Sequence, residues 1–378
     1  MQIDYNKRIF GLDLMRAMAI LLVVFSHVTW ITPNAQGFIP DLMSIAGVIG
    51  VEIFFVLSGF LIGRIIYKFY VSDTFNFSSV FYFWVRRWFR TLPNYYLALI
   101  INICIALYIG TQLPSNLWQY VFFIQNFSQE IPLFFSESWS LSIEEFAYII
   151  GPFLLYLSLF IKSNILKSRM FLWITLIVII VFTITKLIYN INDDIKEIKF
   201  WNSNLKAIVI YRIDAIYYGV LAAYISIVKP KFWKHMKYIA LIIGALIFLG
   251  LNAVIPLKHI FIETYTAFWN VWYLPINSVA IMFSLPFLSQ MQSAPKLILK
   301  PITYISLISY AMYVLHYSII LQVLKYKLPT ESLPKFDTLV YILVYLSLTI
   351  LLSYVVYRFY EKPMTDLRDS SRVKRNFK

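Results

Sequence analysis

In the first apolar run of the chain, GLDLMRAMAILLVVFSHV, Arg16 and His27 stand eleven residues apart. At 100° per residue they fall about 20° from eclipsed, on one face of a helix and about 16 Å apart along its axis. Asp13 lies three residues before Arg16 on nearly the same stripe. An imidazole is suited to taking and returning a proton near neutral pH, and a guanidinium to holding an oxyanion. The spacing therefore predicts anion binding at one depth of the helix and proton transfer at another. A purely structural reading pairs Arg16 with Asp13 near the interface and gives His27 an interhelical hydrogen bond.

Further ionisable residues fall inside apolar runs, where each costs on the order of 3 kcal/mol or more. Glu52, in GVEIFFVLSGFLIGR, is expected near the midplane and needs a partner, either a neighbouring cation or the reacting histidine. Ser58, Gly59 and Gly63 in the same run point to close helix packing rather than to a binding loop. Arg212 and Asp214, in YRIDAIYYG, and His316, in SYAMYVLHYS, are placed past the midplane. The segment FYFWVRRWFRTLPNYY sets Arg86, Arg87 and Arg90 among aromatic rings and is interrupted by Pro93. It reads as an amphipathic interface helix, and its arginines either anchor the chain or, with Arg64, form a phosphate-binding collar. Glu144 and Glu145, in SESWSLSIEEFAYIIGP, are read in the first turn of a helix, where the dipole alone would favour them. His235 and His259 sit in loops and receive no role.

These residues are carried by a chain of 378 residues that is 60% hydrophobic and 14% charged, with mean hydropathy +0.71. Soluble domains carry about 25% charged residues, so the composition excludes a water-soluble enzyme and predicts an all-α polytopic membrane protein. Apolar runs mark about ten transmembrane helices near 11–30, 42–66, 93–110, 144–161, 170–190, 206–228, 236–255, 267–289, 302–324 and 338–360. One transmembrane domain is expected over 1–361 and a basic cytosolic tail over 362–378. The first run carries Arg16 and His27 and lacks a small-residue cleavage site, so it reads as a retained helix. A single cysteine, Cys104, excludes an intramolecular disulfide, and no motif indicates a metal.

The net charge of +14 follows topology rather than nucleic acid. With both termini in the cytoplasm, Lys and Arg favour the inner side by about three to one, Lys186 and Lys206 being counted outside. The stretch from Thr111 to Ile143 has neither Lys nor Arg and is therefore read as external. Trp118 to Asn126 within it is too short to span, so it either lies at the interface or re-enters the outer surface. Trp118, Tyr120, Phe134, Phe135 and Trp139 give this loop an aromatic surface that suits a sugar, as well as an aromatic belt.

Taken in order, the phrases quoted resemble the membrane-bound acyltransferase 3 family. They are Arg16 with His27, GVEIFFVLSGFLI, RRWFRTLP, WSLSIEEFAYIIGP, YRIDAIYYG, SYAMYVLHYS and a closing FYEKP, and they run from Gly11 to Pro363. The resemblance implies a ten-helix enzyme of the bacterial inner membrane. Such an enzyme takes an acyl group, commonly acetyl, from cytosolic acyl-coenzyme A and places it on a hydroxyl of a cell-envelope carbohydrate. It further implies donor binding by Arg16 and catalysis by His27, with Glu144 and His316 in support. Some members add a C-terminal extracytoplasmic SGNH hydrolase-like domain. None is expected here, which leaves completion of the transfer to the membrane domain or to a separate extracytoplasmic partner.

The combined expectation is that Arg16, Arg64, Arg86, Arg87 and Arg90 hold the nucleotide end of acyl-coenzyme A, with Asp13 beside Arg16. Glu52, Glu144, Arg212, His27 and His316 surround the acceptor hydroxyl, and Arg212 is the expected oxyanion partner. His27 acts as general base or forms an acyl-histidine. The rival expectation is a polysaccharide or lipid-linked sugar exporter whose buried charges line a route, although no inverted repeat is visible.

Overall fold

The computed structural model describes residues 5, 8–162, 164–192, 197–258, 260–330 and 333–368. His259, Lys196 and the last ten residues of the expected tail, 369–378, lie outside the described residues. The main apolar helices are α1 Phe10–His27, α2 Phe38–Val71, α3 Phe77–Ile109, α4 Ser138–Leu157 and α5 Lys167–Asn192, followed by α6 Ile213–Val228, α7 Lys237–Leu257, α8 Leu274–Leu288, α9 Lys296–Leu315 and α10 Lys335–Val356. Among the described residues there is no strand. Among the described residues, nine of the helices are long and apolar enough to cross a bilayer. The exception is α6, whose 16 residues rise about 24 Å against a hydrocarbon core of about 30 Å.

Hydrogen bonds between connections define two faces. On the terminal face, where α1 begins and α10 ends, the Gly11 N–H donates to Met291 O, Lys167 Nζ to Ser72 O and Trp233 Nε1 to Ser289 Oγ. On the opposite face, Lys325 Nζ donates to Trp30 O and Asn126 Nδ2 to Ala207 O. There the four-residue helix Trp118–Val121 leads into Gln125 and Asn126, both fully buried, so this segment turns back into the protein as one of the two expected alternatives required.

Three local expectations are corrected. The arginine-rich segment is not a separate interface helix but the first half of α3, which continues through Pro93 for 33 residues. Its start is set by Asn76, whose side-chain oxygen accepts from the Ser79 N–H at 3.0 Å. Next, α4 begins at Ser138, so Glu144 and Glu145 stand in its second turn, beyond the reach of simple dipole capping. Lastly, Lys186 is not an outer-loop cation. It lies in α5, fully buried and paired with Asp214.

The helices nearest the centre are brought together by small residues. A Cβ on Gly59 of α2 would run into the carbonyl oxygen of Ile216, and one on Gly219 of α6 into that of Val56. Gly63 likewise sits against Val220 and Ala223. With no hydrophobic drive between helices in lipid, such backbone approach supplies the dispersion contact that holds α2 against α6. By contrast α5, α7 and α10 keep most of their apolar side chains on the outside of the bundle, as lipid-facing helices do.

Candidate active site

His27 closes α1, and His316 follows the last residue of α9, where the helix widens into a π-helical turn over His316–Leu321. The widened turn swings the second ring toward α1. The two imidazoles meet edge to face, with centroids 4.7 Å apart and planes at 87°. His316 Nε2 lies 3.3 Å from His27 Nδ1. His27 Nδ1 is also 2.8 Å from Val23 O, and His316 Nδ1 is 2.8 Å from Tyr313 O and 3.1 Å from Met312 O.

Carbonyl oxygens only accept, so both Nδ1 atoms must carry their protons. His316 then turns a bare Nε2 toward His27 and accepts its Nδ1–H. The remaining nitrogen, His27 Nε2, holds a lone pair. His27 lines a cavity of about 600 Å³ on the face opposite the termini. The arrangement is a base with its tautomer fixed from behind, and a positive charge formed on it is shared with Val23 O and His316.

The cavity is walled by Trp30, Trp139, Trp201, Trp269, Tyr273 and Tyr317. Tyr317 lies 4.7 Å from His27, centroid to centroid. Four charged residues missed by sequence reasoning also line it, the exposed Glu130 and Lys199 and the more buried Glu137 and Lys206. Glu137, 4% exposed, accepts at Oε1 from the Ser318 N–H at 3.2 Å and from Ser318 Oγ at 2.6 Å, clamping the π-helical turn. Burial pushes its carboxyl up to about 7, against the two bonds from Ser318. Lys206, from the loop before α6, places Nζ 5.3 Å over the Trp139 ring. Nothing in the spacing of SESWS or NSNLK marked either residue, because each acquires its place from a distant segment.

A second, smaller cavity of about 130 Å³ lies toward the terminal face and is lined by Arg16, Arg87, Arg90 and Glu144. Val51 and Tyr313 line both spaces. The Tyr313 hydroxyl is 2.5 Å from Ser140 Oγ, which fixes the ring at the partition. Arg87 Nη2 donates to Tyr148 Oη at 2.7 Å and reaches Glu144 Oε2 at 3.4 Å. Among the described residues Arg16 donates to Ser306 Oγ alone, at 3.3 Å, because Asp13 is taken chiefly by Arg8, at 2.7 and 2.5 Å. The Arg16–Asp13 distance is 3.7 Å. Arg90 is exposed and makes no hydrogen bond or ion pair among the described residues.

Other expected site residues lie elsewhere. Arg64 rests on the Phe60 ring and Arg86 donates to Tyr82 Oη at 2.9 Å, and neither lines the arginine cavity. Arg212 and Glu52 form a buried ion pair that Ser278 completes, and neither lines either space. Glu52 thus finds its partner in Arg212, the residue that caps the start of α6, rather than at His27. Glu144 stands with the arginines, not beside the histidines. Among the described residues no group of three or more His, Cys, Asp or Glu could hold a metal ion.

The family model described as an acyltransferase domain matches residues 9–358, which takes in both cavities. The chain belongs to the acyltransferase 3 family. Among curated relatives of this family member, the peptidoglycan O-acetyltransferase OatA of Listeria monocytogenes is 25% identical over 342 residues, 83% of this chain and 50% of that protein. A Staphylococcus aureus protein provisionally named an O-acetyltransferase is 27% identical over 376 residues, 93% of this chain and 56% of its own length. A Bacillus subtilis protein provisionally named a peptidoglycan O-acetyltransferase is 30% identical over 209 residues, 50% of this chain and 30% of that protein. The acyltransferase-family chain thus spans about half the length, or less, of these relatives. No solved structure matches it significantly.

Proposed function

We propose that the protein is an O-acyltransferase of the bacterial cytoplasmic membrane. It moves an acyl group, acetyl by preference, from cytosolic acyl-coenzyme A to a hydroxyl of a cell-envelope carbohydrate. In this reading the terminal face is cytoplasmic, as the bias of Lys and Arg supports. The observation that carries the proposal is His27, backed by Val23 O and His316 and lining the larger cavity, which shares Val51 and Tyr313 with the arginine-lined one. Family membership and the peptidoglycan O-acetyltransferase relatives support the reaction class.

In the proposed reaction Arg16, Arg87 and Arg90 meet the donor's phosphates with forked, charge-assisted hydrogen bonds. The acceptor hydroxyl enters from the aromatic cavity and donates to His27 Nε2. As its oxygen bonds to the thioester carbon, the proton passes to His27, and the imidazolium is stabilised by Val23 O and His316 Nε2. The C–S bond then breaks, the thiolate recovers the proton from His27, and an oxygen ester and free coenzyme A leave. General-base assistance of this kind contributes about 10² to 10⁴ in rate. No step is assigned to Arg212, whose guanidinium is held by Glu52.

The test supplies acyl-labelled acetyl-coenzyme A to inside-out vesicles carrying the wild-type, His27→Ala or His27→Gln protein. Coenzyme A release and a labelled saccharide ester are expected from wild type alone. Wild-type turnover by either variant sinks the mechanism, and movement of unlabelled sugar without ester formation favours an exporter.

A further inference from the structure

Among the described residues, Lys206 is the one cation at the larger cavity that also sits on an aromatic ring of its wall, and no anion among them holds it. Its ammonium makes no hydrogen bond or ion pair among the described residues. The acids that could have neutralised it are committed. Glu52 is bound by Arg212 and Ser278, Asp214 by Lys186, and Glu137 by Ser318. Glu130, also on the cavity wall, is exposed and makes no ion pair among the described residues. Burial, with Arg212 nearby, lowers the Lys206 ammonium to about 8, so it is still mostly charged at neutral pH. A half-buried cation without a counter-ion, in a space shared with the reacting imidazole, is an unfilled electrostatic demand.

The rest of the wall says what kind of molecule meets that demand. Flat indole and phenol faces from Trp30, Trp139, Trp269 and Tyr317 suit the C–H faces of a pyranose ring, and Ser136 and Asn202 offer hydrogen bonds to its hydroxyls. We propose that the acceptor is an anionic saccharide whose carboxylate or phosphate, carried near the hydroxyl that is acylated, pairs with Lys206. The inference rests on the acyl-transfer reading for calling the sugar an acceptor, but the site itself does not depend on it. Pairing also has a chemical consequence. Lys206 stands within coulombic range of His27 and repels the imidazolium formed during proton transfer, and a bound anion offsets that repulsion.

The test uses full-length protein in nanodiscs and three probes. These are an N-acetylmuramyl disaccharide with its lactyl carboxylate free, the same disaccharide as the methyl amide, and a prenyl phosphate without sugar. Equilibrium binding is measured beside acetyl transfer from acetyl-coenzyme A, for wild type, Lys206→Gln and Lys206→Arg. Wild type is expected to bind the carboxylate form about ten- to a hundredfold more tightly than the amide, the worth of one charge-assisted hydrogen bond. In Lys206→Gln that ratio falls toward one, and Lys206→Arg retains it. Equal or absent binding of the two disaccharides by wild type, or a ratio that survives in Lys206→Gln, overturns the proposal. Lys206-dependent binding of the prenyl phosphate alone overturns it too, since the anion would then belong to a lipid. Selective binding without any transfer leaves the anionic-sugar site standing and removes the acyltransferase reading instead.

Discussion

Replacing His316 by phenylalanine keeps a flat ring of similar size in a fully buried position and removes both of its nitrogens. His27 Nδ1 has three acceptors within reach, Val23 O at 2.8 Å, Ser26 Oγ at 3.2 Å and His316 Nε2 at 3.3 Å, so the carbonyl still holds the productive tautomer when His316 is gone. What disappears is the longest of the three contacts that stabilise the imidazolium. Hydrogen bonds to charged groups contribute about 1.5 to 3 kcal/mol, and one stretched to 3.3 Å falls at or just under the low end of that range, about 1 to 2 kcal/mol. That corresponds to roughly a five- to thirtyfold loss in kcat, well short of the 10² to 10⁴ expected for His27→Ala. His316→Gln, which keeps an accepting oxygen, should recover part of the loss. The assay is single-turnover acetyl transfer in proteoliposomes at saturating donor, with thermal melts confirming the fold. An unchanged rate in His316→Phe would show that the pair has no role in proton transfer. A loss equal to that of His27→Ala would make His316 a base in its own right and refute the assignment of roles.

Three further outcomes follow from the geometry. Arg90→Gln should raise the KM for acetyl-coenzyme A about tenfold with little change in kcat, because a bond to a donor phosphate is lost equally in ground and transition states; initial rates against donor concentration decide it. Lys186→Met strands Asp214 in the bundle and should cost about 3 to 5 kcal/mol, whereas Lys186→Met with Asp214→Asn restores much of it, read as melting temperature in detergent. Because the Glu137 carboxyl is raised from 4.5 to about 7, its protonated form is the one folding favours, and its share of stability is present below 4.5 and lost as pH rises to about 7. Glu137→Gln, which still accepts from Ser318, should therefore gain on wild type across that window and hold its advantage above it, as a pH series of melts would show.

The helical class and the family were legible because composition and short motifs are local properties, and the depth of His27 and His316 followed from their positions in apolar runs. Their pairing across 289 residues did not, since depth fixes height in the bilayer and not azimuth around a helix. The same limit hid Arg212 as the partner of Glu52 and left Lys206 as one more outer charge. Pro93 misled for a different reason. The rule that proline ends a helix is set in water, but in lipid the exposed backbone of a break costs more than the single hydrogen bond that the proline removes. Glu144 was placed by its distance from an apolar run, whereas the polar residues from Ser138 onward were already helical and facing protein.

Val51 and Tyr313 are the common wall of the two chambers, and a partition only a side chain or so thick changes what must cross the bilayer. In the reaction proposed above, neither coenzyme A nor sugar needs to leave its own compartment. The traffic shrinks to the few atoms of the acyl group, handed over while the ring of Tyr313 keeps the remainder of the passage plugged. Such an enzyme exports an ester without ever opening a pore, so the cell's ion gradients are spared the leak that moving a whole substrate would threaten.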